Sequence, residues 1–296
     1  MEFKGIILAG GFGTRLYPNT VSVSKQLLPV YDKPMIYYSF SILMLSGIRD
    51  ILLICNEENL SNYMTLFGDG DKFGVNVTYK IQDRPRGIAD AFILGKDFIG
   101  NDGVCLVLGD NLFYGQDFTA KLLEAKKMKQ GANIFAKVVQ NPRDFGVVEV
   151  NKDNIAVSIQ EKPTNPRSNL AVTGLYFYDN QVIDIAKNIT PSPRGELEIS
   201  DINDYYLKKN QLKVNILGRG FTWLDTGSSH SLLEAAQFVR TIESLQGFKI
   251  ACLEEIAFHN GWISEDQLIM QVNSYPSSPS EYQSYIIDFA KRLGLK

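Results

Sequence analysis

The stretch Phe3-Lys4-Gly5-Ile6-Ile7-Leu8-Ala9-Gly10-Gly11-Phe12-Gly13-Thr14-Arg15-Leu16 decides the fold. Phe3–Ala9 reads as a β-strand, and it runs directly into a glycine turn. Glycines there let the backbone approach an anion closely and offer several N–H groups to phosphate oxygens. The dinucleotide fingerprint G-x-G-x-x-G fails, because Leu16 stands where the third glycine is required. The P-loop pattern fails too, since no Gly-Lys-Ser/Thr ending follows Gly10. What remains is a glycine turn carrying Arg15, with Lys25 further along the chain. Two cations near one loop suit a triphosphate, whose charge must be neutralised before a nucleophile approaches. The same residues also describe a plain strand-to-loop turn with surface cations.

Outward from this turn, short β-rich runs alternate with helical patterns. Ile51–Cys55, Val75–Ile81 and Val104–Leu108 read as further strands, with Met35–Ser46 and Ile88–Phe98 as helices between them. Such alternation predicts a largely parallel sheet with helices on both faces. The middle of the chain changes character: Asn133–Val139, Gly146–Val150, Ala156–Gln160 and Ala171–Tyr178 read as antiparallel additions. After Thr226, Leu232, Leu233, Ala236, Val239, Ile242 and Leu245 recur at steps of three and four, predicting one face of a helix. From about Ile250 two short helices are expected, separated by Tyr275-Pro276-Ser277-Ser278-Pro279. The expected fold is α/β: three layers, Rossmann-like, with a mixed and mostly parallel sheet and a helical C-terminal appendix. Residues 1–240 form the α/β domain and 241–296 a helical segment for oligomer contacts.

Composition sets the outer bounds. With 296 residues the chain can bury a sizeable core, at about 150 residues per domain. Its 30 Lys+Arg against 33 Asp+Glu leave no basic footprint for a nucleic acid. The longest mostly apolar stretch, Met35–Leu45, is interrupted by serines and falls short of the roughly 20 residues of a membrane span. The apolar run before the first glycines is too short for a secretory signal, so the cytosol is the expected compartment. Cys55, Cys105 and Cys252 show no C-x-x-C pairing, and the first two read as buried thiols. His230 and His259 have no Cys or His partner at zinc-ligand spacing.

In sheets of this kind ligands bind beyond the carboxyl ends of the strands. Asp110 follows the strand Val104–Leu108 and Asp225 follows Phe221–Leu224, so both are expected where parallel-type strands end. Lys162 follows Ala156–Gln160, and Pro163 is expected to hold it extended. Asp69-Gly70-Asp71 sits in a polar turn with no strand before it and reads as a loop rather than a metal site.

The ordered motifs carry a resemblance. Leu8-Ala9-Gly10-Gly11-x-Gly13-Thr14-Arg15-Leu16-x-Pro18 with Ser24-Lys25-Gln26-Leu27-Leu28-Pro29 resembles the signature of the sugar-1-phosphate nucleotidyltransferases. The likeness continues through Leu108-Gly109-Asp110-Asn111, Phe145-Gly146-Val147-Val148-Glu149, Glu161-Lys162-Pro163, Ala171-Val172-Thr173-Gly174, Arg194-Gly195-Glu196-Leu197-Glu198 and Trp223-Leu224-Asp225-Thr226-Gly227, nearly the whole chain.

The resemblance implies a reaction joining a nucleoside triphosphate, dTTP, to glucose 1-phosphate with release of pyrophosphate. It implies Mg²⁺ held by Asp110 and Asp225, and catalytic roles for these two with Arg15, Lys25 and Lys162. Leu8, Gly10, Gly11, Gly13, Thr14, Arg15, Lys25, Gln26, Gln82, Gly87 and Asp110 correspond to nucleotide contacts, Gln82 and Gly87 at the pyrimidine edge. Asn111, Gly146, Glu161, Lys162, Val172, Arg194 and Trp223 correspond to sugar-phosphate contacts. A homotetramer with a regulatory nucleotide site, and a place in deoxysugar synthesis, are also implied.

Three departures from the family pattern stand out. Gly87-Ile88-Ala89-Asp90-Ala91 has a carboxylate where an amide is common, preceded by Arg84 and Arg86. Ser228-Ser229-His230 replaces a usual Thr-His-Gln, and Tyr38-Ser39-Phe40 lacks a frequent proline. The same chemistry on another base or sugar, or a non-catalytic nucleotide-sugar binder, is the alternative. A silent binder would be marked by loss of cations or carboxylates, yet Arg15, Lys25, Asp110, Lys162 and Asp225 are all present.

Overall fold

Strands that read as unbroken apolar runs do so because both faces of their sheet are covered. The computed structural model describes residues 1–295. The strands are β1 (Phe3–Ala9), β2 (Pro29–Val30), β3 (Lys33–Pro34), β4 (Asp50–Cys55), β5 (Asn76–Ile81), β6 (Gly103–Leu108), β7 (Asn111–Tyr114), β8 (Ala132–Val138), β9 (Gly146–Val150), β10 (Ala156–Glu161), β11 (Leu170–Tyr178), β12 (Leu212–Leu217) and β13 (Thr222–Asp225). The helices are α1 (Ile36–Leu45), α2 (Leu60–Phe67), α3 (Asp90–Leu94), α4 (Lys96–Ile99), α5 (Phe118–Lys126), α6 (Val182–Asn188), α7 (Ile199–Lys208), α8 (Ser229–Gln246), α9 (Leu253–His259), α10 (Glu265–Asn273) and α11 (Glu281–Arg292).

One nine-stranded sheet runs β10-β9-β11-β6-β1-β4-β5, with β8 on β11 and β12 on β8. The β6-β1-β4-β5 block is parallel, whereas β11 is antiparallel to β6, β8 and β9. The mixed, mostly helix-covered sheet expected from the sequence is therefore present. Alternate residues feed two cores. On β4, Ile51, Leu53 and Cys55 join Phe40 and Leu43 of α1. Leu52 and Ile54 face the other way, toward Phe92, Ile183 and Ile202 of α3, α6 and α7. Each such buried aliphatic side chain contributes roughly 1.5–3 kcal/mol. Helix α1 is buried from Ile36 to Met44 because the sheet covers one side and the tail helix α9 the other. No helix among the described residues is long and apolar enough to cross a membrane. All three cysteines are buried and unpaired.

The tail is fastened by buried charges. Lys33 lies 2.5 Å from Asp32 and 3.0 Å from Glu243, and Lys249 lies 2.5 Å from Asp32 and 2.8 Å from Glu243. Glu243 also accepts from the Ile250 N–H at 2.9 Å. Two cations and two carboxylates thus tie α8 and the chain after it to the β2–β3 turn.

Several elements differ from expectation. The tail carries three helices, α9 to α11, because Asn260–Ile263 turns the chain before Ser264 caps α10; the expected break at 275–279 separates α10 from α11. The helix expected over Ile88–Phe98 is split at Gly95, which packs so close to the sheet that a Cβ would stand 2.9 Å from Ile6. Of the face expected on α8, Leu232, Ala236, Val239 and Ile242 pack in one cluster, whereas Leu233 and Leu245 are 58% and 78% exposed. Its buried line runs through Ala235, Val239 and Glu243, the last admitted by its ion pairs. Strand β12, parallel to β8, was not expected, although its Leu-Lys-Val-Asn-Ile-Leu sequence alternates apolar and polar residues. Asp225 ends not a parallel strand but β13, which pairs antiparallel with β7 in a separate two-stranded sheet. Lys162 is not extended: its φ of 38° puts it in the left-handed region. Its N–H continues the β9–β10 ladder to the Phe145 carbonyl at 3.1 Å before the backbone turns. The Asp69–Asp71 segment is a turn, with Gly70 at φ 95°.

Candidate active site

A cavity of about 900 Å³ opens over the carboxyl ends of the central strands. Among the residues singled out from the sequence, Thr14, Arg15, Asp110, Asn111, Gly146, Glu161, Lys162, Val172, Arg194, Trp223 and Asp225 line it. Leu8, Gly10, Gly11, Gly13, Lys25, Gln26, Gln82 and Gly87 stand outside that wall, around the glycine turn and the ends of β1 and β5.

One end is built on the turn after β1. Gly13 takes φ 62°, and a Cβ on it would crowd Thr20 at 2.9 Å and Lys25 at 3.0 Å. Thr20 donates to the Gly13 carbonyl at 3.0 Å, closing the loop on itself. Gln26 is buried and accepts from the Ser24 hydroxyl at 2.6 Å. Lys25 reaches across to form an ion pair with Asp110. The Arg15 guanidinium lies against Gly227, where a Cβ would meet it at 2.5 Å.

Asp110 and Asp225 come together through backbone. The Thr226 N–H and hydroxyl both donate to the Asp110 carbonyl, at 3.1 and 2.7 Å, and β7–β13 pairing sets Asp225 opposite Asn111. Burial opposes ionisation of Asp110, but Lys25 and the Asn111 amide more than offset it, and the carboxyl is held below its usual range. Burial first, and then the Asp110 charge, push Asp225 up to about 6, with Lys25 and Arg15 pulling the other way. Two carboxylates that resist joint ionisation, opening on a cavity, fit a divalent cation. An ion held by two carboxylates takes its remaining ligands from phosphate oxygens and water.

The other end is built on β9, β10 and β11. Register pairs Gly146 with Glu161, and a Cβ on Gly146 would stand 3.4 Å from the Glu161 carboxylate. The β11 register shifts between Val172 and Tyr176, an irregularity that spans Gly174 in the cavity wall. Lys162 points out beside Glu161, its Nζ 3.9 Å away. Arg194 holds Glu198 by two bonds of 2.8 and 2.9 Å and lies 3.6 Å from Glu161. Burial and then Glu198 raise the Glu161 carboxyl above its ordinary value, against Lys162 and Arg194. Trp223 packs on Phe145 with ring centroids 5.1 Å apart, forming the wall.

Asn111 joins the two ends. Its amide donates to Asp110 at 2.9 Å, and its oxygen accepts from the Trp223 indole at 2.6 Å and the Gly174 N–H at 3.1 Å. Sequence reasoning missed four contributors. Gly174 must lack a side chain, because a Cβ would stand 2.7 Å from that Asn111 oxygen. Ser39, fully buried, donates to the Leu108 carbonyl at 2.8 Å and so braces the Asp110 loop from α1. Its signal was the missing proline. Ser200 and Asn203 on α7 also line the cavity, and only the fold brings them there.

The sequence model of the nucleotidyl transferase family matches residues 4–242, and the chain belongs to this family. Within it, the chain is 57% identical to glucose-1-phosphate thymidylyltransferase of Neisseria meningitidis serogroup A, over 98% of this chain and all of that one. The Mycobacterium tuberculosis enzyme of the same name is 50% identical over 98% and 99%. A Bacillus anthracis crystal structure described as a glucose-1-phosphate thymidylyltransferase in complex with a sucrose superposes with a TM-score of 0.75 at 42% identity, over 80% of this chain and 95% of that one. A UDP-glucose pyrophosphorylase complexed with UDP-glucose shares the fold, with a TM-score of 0.72 at 22% identity, over 82% and 100%.

Proposed function

We infer that the chain is a glucose-1-phosphate thymidylyltransferase, forming dTDP-glucose and pyrophosphate from dTTP and glucose 1-phosphate. The observation that carries this reading is one cavity with cations in opposite walls, Arg15 at the glycine turn, with Lys25 behind the wall on Asp110, and Lys162 and Arg194 beside Glu161. Two anionic substrates are held facing each other, and the sugar-phosphate oxygen attacks the α-phosphorus in line as pyrophosphate leaves. Holding the partners in that geometry converts an encounter of two anions into an intramolecular step.

Residue roles follow from position. Arg15 carries charge at the α-phosphorus and Lys25 steadies the triphosphate, with the backbone of Leu8, Gly10, Gly11, Gly13 and Thr14 along it. Lys162 and Arg194 grip the sugar phosphate; Glu161 accepts from a sugar hydroxyl, with the Gly146 and Val172 backbone and Trp223 around the ring. Asp110 and Asp225 would hold a divalent metal, Mg²⁺ by its affinity for carboxylate and phosphate oxygen. When bound, that ion screens the charge of the α-phosphate and of the departing pyrophosphate. The segment 241–296 serves oligomer contacts in a cytoplasmic homotetramer.

The test is pyrophosphate release from glucose 1-phosphate, Mg²⁺ and each nucleoside triphosphate in turn. Release with dTTP is expected, abolished by a chelator. No release with any triphosphate refutes the function, and a monomer in sedimentation refutes the assembly.

A further inference from the structure

Lys25 reaches Asp110 from the end of a loop that the core holds poorly. Between the glycine turn and Lys25, Phe12, Tyr17 and Val21 are exposed, and Leu16 is the one apolar side chain fully buried. A cavity of about 240 Å³ lies between Gly11, Phe12 and Val21 of this loop and Asn56 and Glu58 behind it. A segment with so little buried apolar contact is placed by directed bonds or not at all.

Those bonds converge on Ser24. Its N–H donates to Asn59 Oδ1 at 2.8 Å. Its hydroxyl accepts from the Tyr63 hydroxyl at 2.8 Å and donates to Gln26 Oε1 at 2.6 Å. Asn59 is oriented in turn by its amide, which donates to Asn56 Oδ1 at 2.8 Å. Ser24, Gln26, Asn59 and Tyr63 are all buried. Asn59 ends the 3-10 turn Glu57–Asn59 and Tyr63 stands one turn further on in α2, so both project from the segment that follows β4. Neither lines the cavity over the central strands.

What Ser24 fixes is the start of the 3-10 turn Lys25–Leu27. The Lys25 stem lies along the glycine turn: a Cβ on Gly11 would stand 3.8 Å from its Cε, and one on Gly13 3.0 Å from its Cβ. A Cβ on Gly109, the residue before Asp110, would stand 3.0 Å from Gln26 Cγ. Both side chains after Ser24 are therefore seated against the loops that carry Arg15 and Asp110, with little room to absorb a shift of their own backbone. A buried N–H without an acceptor is costly, so loss of the Asn59 oxygen should displace the Ser24 backbone until that N–H is met elsewhere.

We propose that Asn59 and Tyr63 are positioning residues for Lys25: from outside the cavity they hold Ser24 by its N–H and its hydroxyl, and so set where the Lys25 ammonium stands against the triphosphate. This rests on the nucleotidyltransferase reading of the site.

The experiment is a double-mutant cycle on pyrophosphate release from dTTP and glucose 1-phosphate. Asn59→Leu keeps the volume of Asn without an acceptor, and Tyr63→Phe removes one oxygen; each is made in the native protein and in Lys25→Ala, with thermal denaturation as the check on folding. In the native background Asn59→Leu should lower kcat/KM for dTTP by about ten- to a hundredfold, and Tyr63→Phe by less, with the KM for glucose 1-phosphate unchanged. In Lys25→Ala each should cost under about threefold, because the group it places is gone. A purely structural role would give the same loss in both backgrounds, and that result overturns the proposal, as does an unaltered kcat/KM for dTTP. If Asn59→Leu does not fold, Tyr63→Phe alone carries the cycle, and an effect under about twofold in the native background overturns the proposal. Native protein that releases no pyrophosphate with any nucleoside triphosphate refutes the reading of the site on which the proposal rests.

Discussion

Glu243 offers the sharpest test of how the tail is joined to the rest of the molecule. Its side chain is 4% exposed and faces Lys33 and Lys249, whose side chains are 2% and 10% exposed. Glu243→Ala leaves two ammonium groups sharing Asp32 alone and strips the Ile250 N–H of its acceptor. Leaving a buried charge uncompensated costs roughly 3–5 kcal/mol. The freed N–H belongs to the same truncation and is not added to it. Glu243→Gln keeps an acceptor for Ile250 and should lose less, about 1–3 kcal/mol. Equilibrium unfolding in urea near neutral pH measures both. The sign of the pH dependence follows from Lys249, raised above the ordinary lysine value of 10.5 by the Asp32 and Glu243 bonds despite burial. A raised lysine contributes fully below 10.5, and its contribution is lost as pH rises through the folded-state value. The gap between native and Glu243→Ala protein should therefore narrow in alkali. A loss under about 1 kcal/mol at an unchanged denaturant slope would refute the argument that this cluster fastens the tail.

Two further predictions concern the site. Asp110→Asn frees Lys25 and removes the charge that raises Asp225, so turnover should fall by about 10²–10³ with an unaltered circular dichroism spectrum; near-native turnover would remove Asp110 from the machinery. Glu161 is held above its ordinary value by burial and Glu198, so on acidification it should protonate before an ordinary glutamate. The KM for glucose 1-phosphate should accordingly climb at a pH above 4.5, and Glu161→Gln should mimic that climb at neutral pH without loss of stability. A KM flat in pH and unmoved by the substitution would mean that Glu161 does not meet the sugar.

The first strand and its glycine turn were legible because a burst of apolar residues ending in Gly-Gly-x-Gly has few other uses. The parallel block β6-β1-β4-β5 followed from the same kind of signal. β12 was overlooked although Leu212-Lys213-Val214-Asn215-Ile216-Leu217 alternates apolar and polar residues, the period of a half-buried strand; what only the fold supplies is its parallel place on β8. The α8 face was legible through Leu232, Ala236, Val239 and Ile242, which pack in one cluster, but not the burial of Glu243, which depends on Lys33 from a distant turn as well as on Lys249.

Sequence by itself determined the chemistry available: a glycine turn, four cations and two aspartates in a fixed order along the chain. Tertiary structure decided their relations. It put Asp225 beside Asp110 by β7–β13 pairing, set Asn111 between the two ends of the cavity, and gave Asp90 to Gln82 rather than to Arg86. Local patterning reports the propensity of a segment and the polarity of its faces. Which polar groups meet depends on register and packing between segments distant in sequence, and only the folded chain fixes that.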